Sequence, residues 1–163
     1  MPDESLLTHV DHTGAARMVD VSAKTISARR AIATGRVVTT TEVITALRGD
    51  GMPKGDALAV ARLAGIMGAK RTPDLIPLCH PIGLHGVVVD LELTATTVEI
   101  TATTKTADRT GVEMEALTAV AVAGLAMIDM IKAVDPAASI EAVRVLRKEG
   151  GKTGDWVRPS DRP

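Results

Sequence analysis

A chain of 163 residues with no Phe, no Tyr and one Trp must build its interior almost wholly from aliphatic side chains. With 24 Ala beside Val, Leu, Ile and Met, that interior suits helices packed closely on a sheet or on each other, because small side chains leave voids unless backbones approach. The length fits one domain, able to bury most of its unfolded apolar surface without a disulfide or metal staple. The single cysteine, Cys79, excludes an internal disulfide framework and a multi-cysteine zinc site. A net charge of −1 and the lack of stacking aromatics argue against a nucleic-acid binder. The longest strongly apolar stretch, residues 116–128, covers thirteen positions and is too short to span a bilayer. The segment MPDESLLTHV lacks the basic and then apolar run of a signal peptide, so the expected location is the cytoplasm.

Residues 1–22 show no period and read as an arm or loop. Residues 24–38 alternate imperfectly, with Ile26, Ala28, Arg30 and Ile32 on one side, and their Thr, Ser, Gly and Val content favours a strand. Thr40 or Thr41 can cap a short helix ended by Gly49 and Gly51. After a turn at Pro53, residues 54–71 read as a second helix. Its apolar positions are Leu58, Ala61, Ala64 and Met67, and Gly65 and Gly68 suggest close backbone contact. TPDLIPLCHPIG, with three prolines, reads as a stiff extended loop. VVVDLEL and VEITATT form a hairpin, and Val98, Ile100 and Ala102 alternate with polar residues. A long helix covers residues 113–134 and stops at Asp135-Pro136. SIEAVRVLRK is a last strand, and DWVRPSDRP reads as a loose tail.

The order β-α-α-β-β-α-β is, one extra helix apart, the split βαβ pattern of ferredoxin-like domains. The expected fold is therefore α+β, with helices on one face of an antiparallel sheet. Residues 1–22 form the arm, 23–152 the domain and 153–163 a flexible tail.

Chemistry-bearing residues gather in three places: Lys54 with Asp56, the loop Leu78-Cys79-His80-Pro81, and the two ends of the long helix. His80 sits in a proline-locked loop, where it is either a proton-transfer group or phosphate donor, or a histidine that only bonds backbone. Cys79 beside it has no local basic cluster to lower its pKa, and a small buried side chain is the better reading. Glu113 and Glu115 open the long helix, where the positive helix terminus suits them with or without a ligand. Asp129 and Lys132, three apart, share a helix face. They are either a base and acid for one substrate or a surface ion pair at the helix exit. The basic residues Arg29, Arg30, Lys54, Lys70, Arg71, Lys132, Lys148 and Lys152 are spread along the chain, and several converging could hold a polyphosphate. No Walker motif or GxGxxG is present.

The runs ARMVDVSAK, KGDALAVARLAGIMGAKRTPDLIPLCHP, DRTGVEMEALTAVAVAGLAMIDMIKAVDP and RVLRKEGGKTGDW together resemble the MoaC family of molybdenum cofactor biosynthesis proteins, over residues 8–156. The resemblance implies a ferredoxin-like α+β fold and a hexamer built as a trimer of dimers. It also implies conversion of 3′,8-cyclo-7,8-dihydro-GTP to cyclic pyranopterin monophosphate with release of pyrophosphate. A radical GTP cyclase would supply the substrate, and molybdopterin synthase would use the product. By motif, the general acid/base aspartate falls on Asp129, with catalytic lysines on Lys132 and Lys54 and a histidine on His80. Substrate contacts fall on Leu78, Cys79, His80, Glu113, Met114, Glu115, Lys148 and Arg29. The resemblance names no fixed cofactor, only a divalent cation as a candidate companion of the triphosphate. Many relatives have Gly-Lys-Thr-Gly where this chain has Asp108-Arg109-Thr110-Gly111, which keeps the charge but not a role specific to lysine. A non-catalytic nucleotide-binding regulator of ferredoxin-like fold is the competing reading. A purely structural oligomer built on the Ala-rich helix is another.

Overall fold

The computed structural model describes residues 7–49 and 56–160. The strands are β1 (Ser27–Val38), β2 (Gly86–Leu93), β3 (Thr97–Asp108), β4 (Ser139–Glu149) and β5 (Trp156–Val157). The helices are α1 (Thr41–Arg48), α2 (Ala57–Lys70), α3 (Thr72–Leu75) and α4 (Glu113–Ile131). All strand pairs are antiparallel, in the order β2-β3-β1-β4-β5. With β5 set aside, this is the ferredoxin-like α+β arrangement expected from the element order: the first and third strands lie side by side and helices fill both crossovers.

The period of two decides which face is covered. In β1, Ala31, Ala33 and Val37 are buried, and in β3 so are Val98, Ile100 and Ala102. Ion pairs occupy the opposite face, with Arg36 near Glu99 and Arg30 near Glu149. The long helix crosses the covered face at glycines. A Cβ on Gly35 of β1 would lie 2.7 Å from a Val120 methyl, and one on Gly65 of α2 would lie 2.8 Å from the Ala119 carbonyl. A core without large rings therefore closes by backbone approach, as the expected contact at Gly65 and Gly68 requires. Although α4 is long and apolar enough to cross a membrane by length and composition, ten of its residues are buried against the sheet and α2.

Four local expectations change. Residues 72–75 form α3 instead of extended loop, because Pro73 suits a first helical turn and Thr72 Oγ1 donates to the Ala69 carbonyl at 2.9 Å. The buried face of α2 is Ala57, Ala61, Gly65, Gly68 and Ala69, which leaves Leu63 and Met67 exposed. The long helix ends at Ile131, and a turn carries the chain to Asp135, whose buried carboxylate accepts from Thr39 Oγ1 at 2.8 Å. Within the supposed loose tail, Trp156 and Val157 pair with Lys148 and Arg147 as β5, and Arg158 clips back onto the Val145 and Leu146 carbonyls. Lys54 and the turn at Pro53 lie outside the described residues.

Two buried threonines fix the loops that matter below. Thr104 Oγ1 donates to the Val112 carbonyl at 2.9 Å, holding the turn into α4. Thr106 Oγ1 donates to the Gly83 carbonyl at 2.5 Å, holding the chain just past His80.

Candidate active site

Register brings the charges together. Ser27 pairs with Asp108 and Arg30 with Glu149, so one end of β1 meets the end of β3, the end of β4 and the start of α4. A cavity of about 130 Å³ opens there, lined by Lys24, Arg29, Arg30, Arg109 and Lys148 against the carboxylates Glu113 and Glu149. Three of the eight scattered basic residues thus converge, joined by Lys24 and Arg109. Cations in excess around so small a space suit phosphate groups. Arg29 is partly committed already: its Nε donates to the Asp108 carbonyl at 3.1 Å and its Nη2 to the Arg109 carbonyl at 3.2 Å. Lys148 Nζ lies 3.5 Å from Glu113 Oε1. The Glu113 carboxylate lies folded over Gly111, where a Cβ would displace it.

A second cavity of about 840 Å³ shares Lys24, Thr110, Gly111 and Glu113 with the first. Its other walls are Ile76 to His80, Met114, and the arm residues Thr8, His9, Ala16, Val19 and Val21. That volume is of the size that accepts nucleotide-sized ligands. Leu78, Cys79, His80, Glu113 and Met114 therefore share one wall.

Behind that wall lies Glu115. It is 2 % exposed and does not line the cavity. Its Oε1 faces Cys79 Sγ at 3.9 Å and its Oε2 has no hydrogen-bond partner. Burial, and then the charge of Glu113, push the carboxyl above its ordinary range. Burial, followed by Glu115, likewise raises the Cys79 thiol, so it is a poor nucleophile. His80 Nε2 lies 2.5 Å from the Val19 carbonyl.

Asp129 and Lys132 are not part of this assembly. They form an ion pair of 2.7 Å at the far end of α4, with side chains 58 % and 59 % exposed. At 1.5 Å per residue, Glu113 and Asp129 are about 24 Å apart along the helix.

The residues missed at the sequence level lie in the arm and immediately after it. Lys24, Val19, Val21 and His9 line the cavities, yet an aperiodic stretch gives no hydrophobic signal. The available signal was the turn chemistry of Val-Asp-Val-Ser-Ala-Lys, in which Asp20 accepts from Ser22 N and Lys24 N bonds the Val21 carbonyl.

Residues 18–151 match the MoaC family. The chain is 64 % identical to a cyclic pyranopterin monophosphate synthase of Streptomyces avermitilis over 96 % of its own length and 92 % of the relative's. It is also 64 % identical to one of a Nocardioides species, over 94 % and 96 % of the two chains. A synthase of the same name from a Roseiflexus species is 56 % identical over 93 % and 97 %.

Proposed function

The chain belongs to the MoaC family, and from that premise we propose that it is a cyclic pyranopterin monophosphate synthase in molybdenum cofactor biosynthesis. In this reading it is a cytoplasmic phosphorus–oxygen lyase acting on 3′,8-cyclo-7,8-dihydro-GTP and releasing pyrophosphate. A radical GTP cyclase would supply that substrate, and molybdopterin synthase would consume the product. The observation that carries the reading is the cation-lined pocket opening beside a nucleotide-sized cavity at one end of α4.

The division of labour follows from the chemistry. Expelling pyrophosphate while a cyclic phosphate closes builds negative charge, and preorganised cations stabilise it best where it develops. Lys24, Arg30 and Lys148 are placed for that, with Arg109 beside them. Lys148 would exchange Glu113 for a phosphate oxygen, an exchange the long, partly exposed ion pair permits. The purine part, which must open and rebuild as a pterin, belongs in the larger cavity beside Leu78 and Met114, with His80 as a proton-transfer group. Arg29 and Glu115 then act mainly by positioning, through the turn at 108–109 and through Cys79. Among the described residues no group of three His, Cys, Asp or Glu is arranged to hold a metal ion. A divalent cation, where one takes part, would arrive with the triphosphate.

Asp129, Lys132 and Lys54 enter as the acid/base pair and a further catalytic lysine by their family motifs. One nucleotide cannot reach both ends of α4, so Asp129 and Lys132 would come from a second copy. Two α4 helices packed antiparallel about a two-fold axis would bring each Glu113 end near the partner copy's exposed ion pair. Three such dimers would make the hexamer. Incubating purified protein with the cyclised dihydro-GTP tests the reading: pyranopterin product and pyrophosphate are expected. Ligand recovered intact would point instead to a nucleotide-binding regulator.

A further inference from the structure

Residues 18–24 run as a strap between two cavities. One is the space of about 840 Å³, and the other, of about 510 Å³, shares Val19, Val21, His80 and Thr110 with it. Open space on both sides leaves the strap dependent on polar anchors. His80 supplies one, through Nε2 to the Val19 carbonyl at 2.5 Å. Arg109 supplies another, donating from Nε to the Lys24 carbonyl at 3.0 Å. Arg109 is itself braced, because its carbonyl accepts from Arg29 Nη2 and its backbone N–H donates to Asp108 Oδ1 at 2.7 Å.

The first anchor has a chemical consequence. A carbonyl oxygen can only accept, so the His80 nitrogen facing it must carry the proton. In the neutral ring Nδ1 is then bare and able to accept one. We propose that Arg109 is a positioning residue: by gripping the Lys24 carbonyl it keeps the strap closed, so that the Val19 carbonyl holds His80 as the Nε2–H tautomer with Nδ1 ready as a base. This rests on the reading of His80 as a proton-transfer group. It also explains why arginine serves here. The donor that grips the strap is the fourth side-chain atom out from the backbone. Lysine has a methylene there and its charge one atom further on, whereas glutamine has an amide N–H at that atom and no charge.

The test uses the full chain labelled with [15N]histidine, with His80 assigned through His80→Asn, and reads tautomers from two-bond nitrogen–proton correlations without substrate. Wild type should give the Nε2–H pattern. Arg109→Lys should give a mixture of tautomers, and trypsin cleavage after Lys24 should rise about five-fold to ten-fold, the effect of one hydrogen bond on the opening equilibrium. Arg109→Gln should preserve the wild-type pattern and cleavage rate. Arg48→Lys, which loses a grip on the Leu93 and Thr94 carbonyls far from the strap, should change neither. An Nδ1–H pattern in wild type overturns the proposal, as does a wild-type spectrum in Arg109→Lys. Mixed tautomers without faster cleavage, or loss of the pattern in Arg109→Gln or Arg48→Lys, also overturn it. Because no substrate is present, a wild-type protein that forms no product would sink the proposed function and leave this result standing.

Discussion

The two ends of α4 differ in how much of a site each carries. At the Glu113 end, three strand termini, a turn and the arm converge, and Arg29 and Thr104 brace the turn into α4 from two different strands. At the Asp129 end, the two charged groups form a pair that is more than half exposed. Long-range strand register builds the first end within one chain. The second end has the residue types of a site without its enclosure, and a low-dielectric surround is what gives such charges catalytic strength. A surface ion pair alone is worth little. If Asp129 and Lys132 work, a second copy has to cover them.

The strongest way to break this comparison is to remove the exposed pair. Lys132→Ala should lose about 2–4 kcal/mol of transition-state stabilisation, roughly a thirty-fold to a thousand-fold loss in turnover, with unchanged circular dichroism. Lys54→Ala, by its motif, should behave alike. Asp129→Asn should still bind substrate by calorimetry while product formation disappears, since the amide keeps the shape and cannot transfer the proton. Turnover within ten-fold of wild type would make the exposed pair a mere surface feature.

Complementation asks whether the two ends meet. A variant inactive through His80 and Glu113 and another inactive through Asp129 and Lys132 are unfolded and refolded together in equal amounts. Half the dimers are then mixed, each with one intact site, so about a quarter of wild-type activity should return. Mixed dimers that stay silent would mean the ends serve no common site.

A smaller effect concerns the helix that separates them. Gly65→Ala pushes a methyl against the Ala119 carbonyl and should destabilise by about 1–3 kcal/mol, partly offset by about 1 kcal/mol of helix propensity. Denaturant unfolding measures it. An unchanged midpoint would show that α2 and α4 can part without penalty.

The smallest effect is pH dependence. Because burial raises the Glu115 carboxyl, the folded state holds its proton more tightly than the unfolded state does. Stability from this group is complete below the ordinary carboxylate range and is lost as pH rises through the raised folded value. Glu115→Gln mimics the protonated form. Its Tm should therefore gain on wild type as pH rises from 5 to 8, and parallel curves would count against a buried, protonated Glu115.

Much of the fold was legible because local pattern and tertiary environment agreed. Val98, Ile100 and Ala102 alternate and are buried, and Glu113 opens the helix it was expected to open. Agreement failed where distant partners decide. Trp156 becomes a strand only because Lys148 offers an edge, and Met67 looks like core until the smaller Gly65 face is seen to win the close approach. At the site, His80, Cys79 and Glu113 were readable as unusual residues in rigid settings. Lys24 and Val19 were not, because their role comes from where the arm lies and not from any period of its own.

The pairing of Trp156 with Lys148 also makes the protein's light emission a local instrument. The chain has one indole and no phenol, so all intrinsic fluorescence comes from the short strand β5, where the Arg158 guanidinium lies 5.7 Å from the ring centre. Its backbone partner is a lysine of the cation-lined cavity. Anions drawn to that lysine should alter emission before any bulk change in shape. In an unfolding experiment the same signal reports the detachment of one edge, so it tracks loss of the whole domain only where far-ultraviolet circular dichroism falls on the same curve.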